Sequence, residues 1–499
     1  MKYTMKWKDL LSERTLVPRE SEPSNWQTNY PINAFEKDYK VIVSSAAFRR
    51  LQDKTQVFPL DKSDFVRTRL THSIEVSTIA KQLGVMVTSN NTKYPIDDFQ
   101  ASGIKMEIPT VLACAGLLHD LGNPPFGHFG EVVIGDWFKE QLGQTAAKDF
   151  AYKGQPIGKI INDKDPKTRQ MYNDLCHFEG NAQAFRILSK ISKKPKGYDI
   201  NLSYAVLNSL IKYPCSSLEV DKESKDVTKH KLGYYLAEQE TFEQVCSVTG
   251  TKQGKSYFRH PLTYLMEAAD DIAYATSDLE DALKKGLFNI DQFIQYFQEQ
   301  IRFLPADDKR EKTEELIQNL TKRIKALQKN NLRTRENELI EFQKWSIFVK
   351  GWMMYVVAYS FSKNYKDIIA GDYKHDLFYE GFHSYSIQIL KNVMAKFVFD
   401  SGEIVKLELS AHKILTALLS DFIRAVIHWE SGDSQFQPTK TDFKLINIIS
   451  ENYKQDYLKA KTDDEYYNLY LRFLMVTDFI SGMTDSYAKT LYQELNGIL

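Results

Sequence analysis

Apolar side chains in this chain recur three and four positions apart over most of its length, while period-two alternation is scarce. That spacing restricts the fold to packed helices. His72, Val76, Ile79 and Leu83 fall at i, i+4, i+7 and i+11, on one face of a helix, and Val111, Leu112, Ala115, Leu118 and His119 follow the same rule. The second of these helices must stop near Gly122, because Asn123-Pro124-Pro125 cannot continue it. A further helix is expected from about Gly130, carrying Val133, Trp137 and Phe138, and residues 261–285 read as one long helix. Residues 221–254 are polar and irregular, the core of an expected loop or hairpin insertion over about 218–256. Residues 307–344 are heavily charged, with Leu316, Leu320, Ile324 and Leu327 at helical spacing. That run lasts only about three turns and lacks sustained heptads, so a helix packed on one side is expected rather than a coiled coil. The expected fold is all-α: a catalytic region over residues 1–300, and a C-terminal helical region over 301–499 packed on it rather than independent.

With 499 residues the chain is long enough for one large or two medium domains with a well-buried core. Lys+Arg and Asp+Glu both total 65, so no global basic field announces nucleic acid or membrane binding, although a local basic channel stays open. Cys114, Cys176, Cys215 and Cys246 lie far apart and form no C-x-x-C pair, so neither a zinc knuckle nor a disulfide framework is indicated. The first twenty residues have no apolar h-region, and no apolar run reaches the roughly 18 residues of a membrane span. A cytoplasmic location is the expectation.

The chemistry begins with His119-Asp120, at the polar end of an apolar helix, where a nitrogen and an oxygen can face one cation. A hydrogen-bonded structural histidine is the plain alternative. Two further features bear on the choice. His72 opens a helix, and the segment from Glu267 to Asp278 is acidic. At helical pitch Asp270, Tyr274 and Asp278 share an arc of about 80°, opposite Leu265, Ile272, Leu279 and Leu283. A solvated acidic face would read the same way. Two imidazoles with two carboxylates form a mixed N/O set suited to Mn²⁺, Mg²⁺, Fe²⁺ or Zn²⁺. Such an ion polarises a phosphoryl oxygen and acidifies water. Spacing alone does not bring the four side chains together.

The ordered set His72, His119-Asp120, Asp270 resembles the H…HD…D signature of the HD phosphohydrolases. The likeness is closer still in RRLQDKTQVFPL, RTRLTHSIEV, HDLGNPPFGHFGE, CHFEGNAQAFRI, HPLTYLMEAADDIAYATSDLEDA and ISGMTDSYA. In order from Arg49 to Ala488, these resemble the deoxyguanosine triphosphate triphosphohydrolase family, most of all its long enterobacterial form. The resemblance implies an HD-type helical fold with a C-terminal helical extension, and metal-dependent hydrolysis of dGTP, with other dNTPs open, to deoxynucleoside and tripolyphosphate. It makes His72, His119, Asp120 and Asp270 the metal ligands, with Asp270 preferred over its neighbour Asp271 mainly by the motif. Mn²⁺ or Mg²⁺ is the expected ion, with Fe²⁺ and Zn²⁺ open. His128 would work at the reacting phosphate with Glu131 orienting it. Arg69, Lys212, Tyr213 and Tyr274 would contact phosphates or sugar, Gln56 and Asp278 would face the sugar, and Glu179 and Asn181 would support the pocket, with His177 less closely tied to it. The resemblance also implies a homo-oligomer and a single-stranded DNA or nucleotide effector, for which Lys440, Lys444 and Lys454 offer basic side chains; residues 430–442 depart from the enterobacterial pattern. Two alternatives stand beside it: an HD phosphohydrolase acting on another nucleotide, and a catalytically inactive nucleotide- or DNA-binding regulator.

Overall fold

The computed structural model describes residues 3–19, 33–58, 60, 63, 65–89, 93–100, 103–144, 150–191, 200–379, 381, 384–399 and 402–498. The fold is all-α. Among the described residues the only paired strands are two two-residue hairpins, Ala151–Tyr152 with Gln155–Pro156 and Lys252–Gln253 with Ser256–Tyr257, both antiparallel.

Helix Arg69–Thr88 starts at a reciprocal cap. The Thr71 amide donates to Thr68 Oγ1 at 3.4 Å, and the Thr68 amide donates to Thr71 Oγ1 at 3.0 Å. These bonds satisfy two of the amides a helix start leaves open, and they set His72 one turn inside. The helix packs most extensively against Ile104–Leu118, to which Ser77 Oγ ties it by donating to Ala113 O at 2.8 Å. Helix Ile104–Leu118 delivers His119 at its C-terminal end, and helix Gly127–Gly143 follows after a six-residue turn, Leu121 to Phe126, that contains Pro124 and Pro125. That helix begins three residues earlier than the sequence expectation, at Gly127 rather than Gly130.

The stretch expected as one helix over 261–285 is continuous but not uniform. Pro261–Ala273 is α-helical, capped where His260 Nδ1 accepts the Leu262 amide; Tyr274–Asp278 is a π turn, and α-helix resumes at Leu279–Lys285. Thr276 Oγ1 donates to Ile272 O at 2.6 Å within the slipped turn. A π turn inserts one residue into the ladder and is frequent at functional sites.

The polar insertion is more structured than a loop. Helix Gln239–Val248 buries Phe242, Val245 and Cys246, whose spacing is helical but short enough to be hidden among polar neighbours. The charged stretch 307–344 holds the helix Asp308–Lys329, whose Leu316, Ile317, Leu320 and Ile324 are buried, and the start of a second helix, Arg335–Lys363. Asn331, at φ 56°, separates the two.

Buried apolar side chains form two cores. The first joins helices Arg69–Thr88, Ile104–Leu118 and Pro261–Ala273 to residues as far as Ile404. The second joins Phe126 and helix Gly127–Gly143 to the C-terminal helices Gly402–Val426, Glu465–Ser481 and Asp485–Leu495. All four cysteines are buried and free. Among the described residues no helix is long and apolar enough to cross a membrane.

Candidate active site

One ligating atom each from His72, His119 and Asp270 lies within 4.8 Å of the other two. His72 Nε2 is 3.2 Å from Asp270 Oδ1, and His119 Nε2 is 3.4 Å from the same oxygen. His119 Nδ1 lies 2.8 Å from Gly116 O; a carbonyl only accepts, so Nδ1 carries the proton and Nε2 presents a lone pair. That Nε2 is buried and has no hydrogen-bond partner among the described residues. Asp120 Oδ2 is 3.5 Å from it and is ion-paired to Arg69, while Asn123 Nδ2 donates to Asp120 Oδ1 at 2.7 Å. A buried polar atom left unpaired costs about 1–3 kcal/mol. Converging acceptors with an orphaned imidazole nitrogen therefore fit a divalent cation, and the N/O donor set suits one.

The electrostatics agree with that fit. Burial alone would raise the Asp270 carboxyl, but His119 and Lys212 hold it well below the usual carboxylate range. Asp120 is likewise depressed against its burial, by Arg69 and then His119. Burial opposes the charged form of His72, yet Asp270, Asp278 and Asp120 outweigh it and raise the imidazole. Lys212 Nζ stands 3.2 Å from Asp270 Oδ2, and Asp270 and Glu267 raise it above its ordinary value despite burial. Asp271, the neighbour that sequence could confuse with Asp270, pairs instead with Lys391 Nζ at 2.7 Å, and burial raises it to about 6.

His128 and Glu131 meet one turn apart at the start of helix Gly127–Gly143, Nδ1 to Oε2 at 2.6 Å. The Glu131 bond and charge raise the His128 pKa, and the ring is 79% exposed. Glu131 Oε1 also accepts the Gly180 amide at 3.0 Å. A Cβ on Gly180 would lie 2.2 Å from Asn123 Oδ1 and 2.5 Å from Glu131 Oε1, so only glycine lets that amide approach. Gly127 has φ 62°, and a Cβ there would lie 2.5 Å from Arg69 Nη2, so the guanidinium reaches from Asp120 to the turn that bears His128.

Gln56 Nε2 is 3.5 Å from Asp278 Oδ2. Gln56 Oε1 and Asp278 Oδ1 are both buried without a partner among the described residues, and burial raises Asp278 to about 7. Tyr274 is half-buried, its phenol kept protonated by burial and by the Asp278 and Asp271 charges. Tyr213 is half-buried beneath the Arg259 guanidinium, 5.8 Å from its ring centroid. Glu179 is buried, accepts from Asn181 Nδ2 at 2.6 Å and pairs with Lys231. His177 is exposed, and so are Lys440 and Lys444, while Lys454 pairs with Glu451.

Two residues escaped the sequence reading. Lys231 Nζ lies 2.9 Å from Glu179 Oε2, and its charge reaches His128; in the sequence it is one lysine among several in a polar stretch. Arg259 donates to Lys212 O at 2.7 Å and to Glu267 at 2.6 Å, fastening the Lys212-Tyr213 turn to the ligand helix. It immediately precedes a quoted motif, the one signal that was available. A cavity of about 710 Å³ lies elsewhere, beside helices Asp308–Lys329 and Arg335–Lys363, lined by Phe348, Trp352, Tyr355 and Tyr359 but by none of the site residues above.

Residues 69–198 match the HD domain family. A deoxyguanosinetriphosphate triphosphohydrolase-like protein of Listeria monocytogenes is 42% identical, covering 99% of this chain and 100% of its own. Proteins named deoxyguanosinetriphosphate triphosphohydrolase from Klebsiella pneumoniae and Salmonella typhi are 32% and 30% identical, covering 94% and 96% of this chain and 94% and 97% of theirs. The HD domain implies dependence on a divalent metal.

Proposed function

The chain belongs to the deoxyguanosinetriphosphate triphosphohydrolase family, and from that premise we propose that it hydrolyses dGTP, with other dNTPs open, to deoxynucleoside and tripolyphosphate. The observation that carries the reading is the convergence of buried His72 and His119 with half-buried Asp270, Asp120 beside them, next to the His128–Glu131 pair.

His72, His119, Asp120 and Asp270 would hold the cation, Mn²⁺ or Mg²⁺ ahead of Fe²⁺ or Zn²⁺. When bound, it supplies phosphate charge neutralisation and a lowered pKa for water. Arg69, Lys212, Lys231 and Tyr213 supply fixed cations and a donor for the triphosphate. Water attacks the α-phosphorus; the bond from phosphorus to the 5′-oxygen breaks, and that oxygen takes a proton. His128 is the donor: Glu131 fixes Nδ1–H, leaves Nε2 facing outward and favours the imidazolium. Gln56 and Asp278, with their unpaired buried oxygens, suit the 3′-hydroxyl. Tyr274 against the deoxyribose leaves little room for a 2′-hydroxyl. Preference for guanine rests on the relatives' names. Homo-oligomeric assembly, a single-stranded DNA or nucleotide effector and cytoplasmic residence belong to the same reading.

The test is a dNTP panel with product identification across metals, with and without single-stranded DNA. Deoxyguanosine and tripolyphosphate from dGTP are expected; pyrophosphate or orthophosphate as the first product overturns the cleavage site.

A further inference from the structure

The motif ISGMTDSYA lies far along the chain from every ligand and acid, and the mechanism above leaves it unused. We infer that its Asp485 is a positioning residue for the cleft, holding the turn that aims His128 and the non-helical segment that carries Gln56; this rests on the roles proposed for those two residues.

Asp485 is buried, and both carboxylate oxygens are engaged. Oδ1 accepts the Phe126 amide at 2.9 Å. Oδ2 accepts the Thr55 amide at 3.0 Å and the Thr55 hydroxyl. Phe126 sits at φ 65°, a left-handed conformation that a bulky residue keeps only when its surroundings dictate it. It is the residue from which helix Gly127–Gly143 departs, so the direction of its amide sets where His128 and Glu131 point.

Neighbouring bonds act on the same seam. Lys54 Nζ donates to Ser481 O and to Asn123 O, each at 2.6 Å, and Asn123 in turn holds Asp120. Ser486 Oγ donates to Asp53 Oδ1 at 2.9 Å. The Arg69 amide donates to Lys54 O at 3.1 Å, and Thr55 bridges antiparallel to Thr68, so the Gln56 segment is joined to the start of the His72 helix. A carboxylate meets this geometry because three donors from two segments converge on its two oxygens. An asparagine offers one acceptor oxygen and turns an NH₂ toward a donor.

The test compares full-length wild type, Asp485→Asn, His128→Ala and Tyr470→Phe, all with dGTP. Tyr470→Phe removes a hydroxyl on the same C-terminal region that donates to buried Asp174, and it reports loss of a buried hydrogen bond away from the cleft. Asp485→Asn is expected to lose about tenfold to a hundredfold in kcat, the cost of a small misplacement, while its Mn²⁺ affinity stays within about threefold of wild type. Tyr470→Phe lowers Tm and leaves kcat within about twofold. Wild-type kcat in a folded Asp485→Asn overturns the inference, and so does a kcat loss matched by loss of Mn²⁺ binding. If Asp485→Asn does not fold, Thr55→Val removes only the hydroxyl contact and is expected to lower kcat by about twofold to fivefold; no loss overturns the inference. A wild type inactive on dGTP, or a fully active His128→Ala, sinks the functional reading instead.

Discussion

His72, His119 and Asp270 stand on or beside helices whose apolar faces share one core, whereas His128 and Glu131 stand on a helix of the other, and the turn from Leu121 to Phe126 passes between them. The two sides are held differently. On the first, His72 is fully buried, Asp120 is pinned by Arg69 and Asn123, His119 by Gly116 O, and Asp270 by Lys212. On the second, His128 makes its ion pair with Glu131 and has an exposed ring. A cation site gains from donors that cannot relax, because preorganised charges need no reorganisation during reaction. A proton donor must regain its proton from solvent after each turnover, which a sealed imidazole cannot do.

Substitutions on each side can break or sharpen that contrast. The largest loss is expected from Asp270→Asn: Mn²⁺ binding disappears in calorimetric titration and dGTP turnover falls about 10⁴-fold or more, since several kcal/mol of transition-state stabilisation go with the ion. His128→Ala is expected to lower kcat by about 10²- to 10³-fold while Mn²⁺ affinity holds. If it also released the metal, the two sides would be one unit and the contrast would fail. Glu131→Gln should act through pH. Glu131 raises His128 above its ordinary value, and a general acid works only when protonated, so activity is present at acid pH and lost as pH rises through the raised pKa. Removing the carboxylate moves that alkaline limb of the kcat profile to lower pH, and an unmoved limb would count against the acid role. The smallest effect is expected from Asp271→Asn, within about tenfold of wild-type turnover, because this carboxylate faces Lys391 rather than the imidazoles. Its loss equalling that of Asp270→Asn would mean the wrong aspartate had been chosen.

Much of this was legible in the sequence, and the failures have identifiable causes. The helices carrying His72 and His119 show long apolar periodicity, and the Asn-Pro-Pro break ends the second near where expected. Residues 239–248 were missed because three buried apolar side chains in a polar surround give too short a periodic signal. The π turn at Tyr274–Asp278 leaves no mark in composition, since a one-residue slip changes hydrogen bonding and not residue type. Lys231 carried no signal at all, because its role comes from where the insertion folds back.

The sequence by itself determined an all-α architecture, the ordered histidines and aspartates, and the chemistry each can perform, because periodicity and residue type are local properties. Which lysine reaches Glu179, that Asp271 turns to Lys391, and how a C-terminal carboxylate braces Thr55 across 430 positions were decided only by tertiary structure. Adjacent residues on a helix point about 100° apart, so proximity between distant segments depends on how helices roll and pack against one another, and no local pattern encodes that.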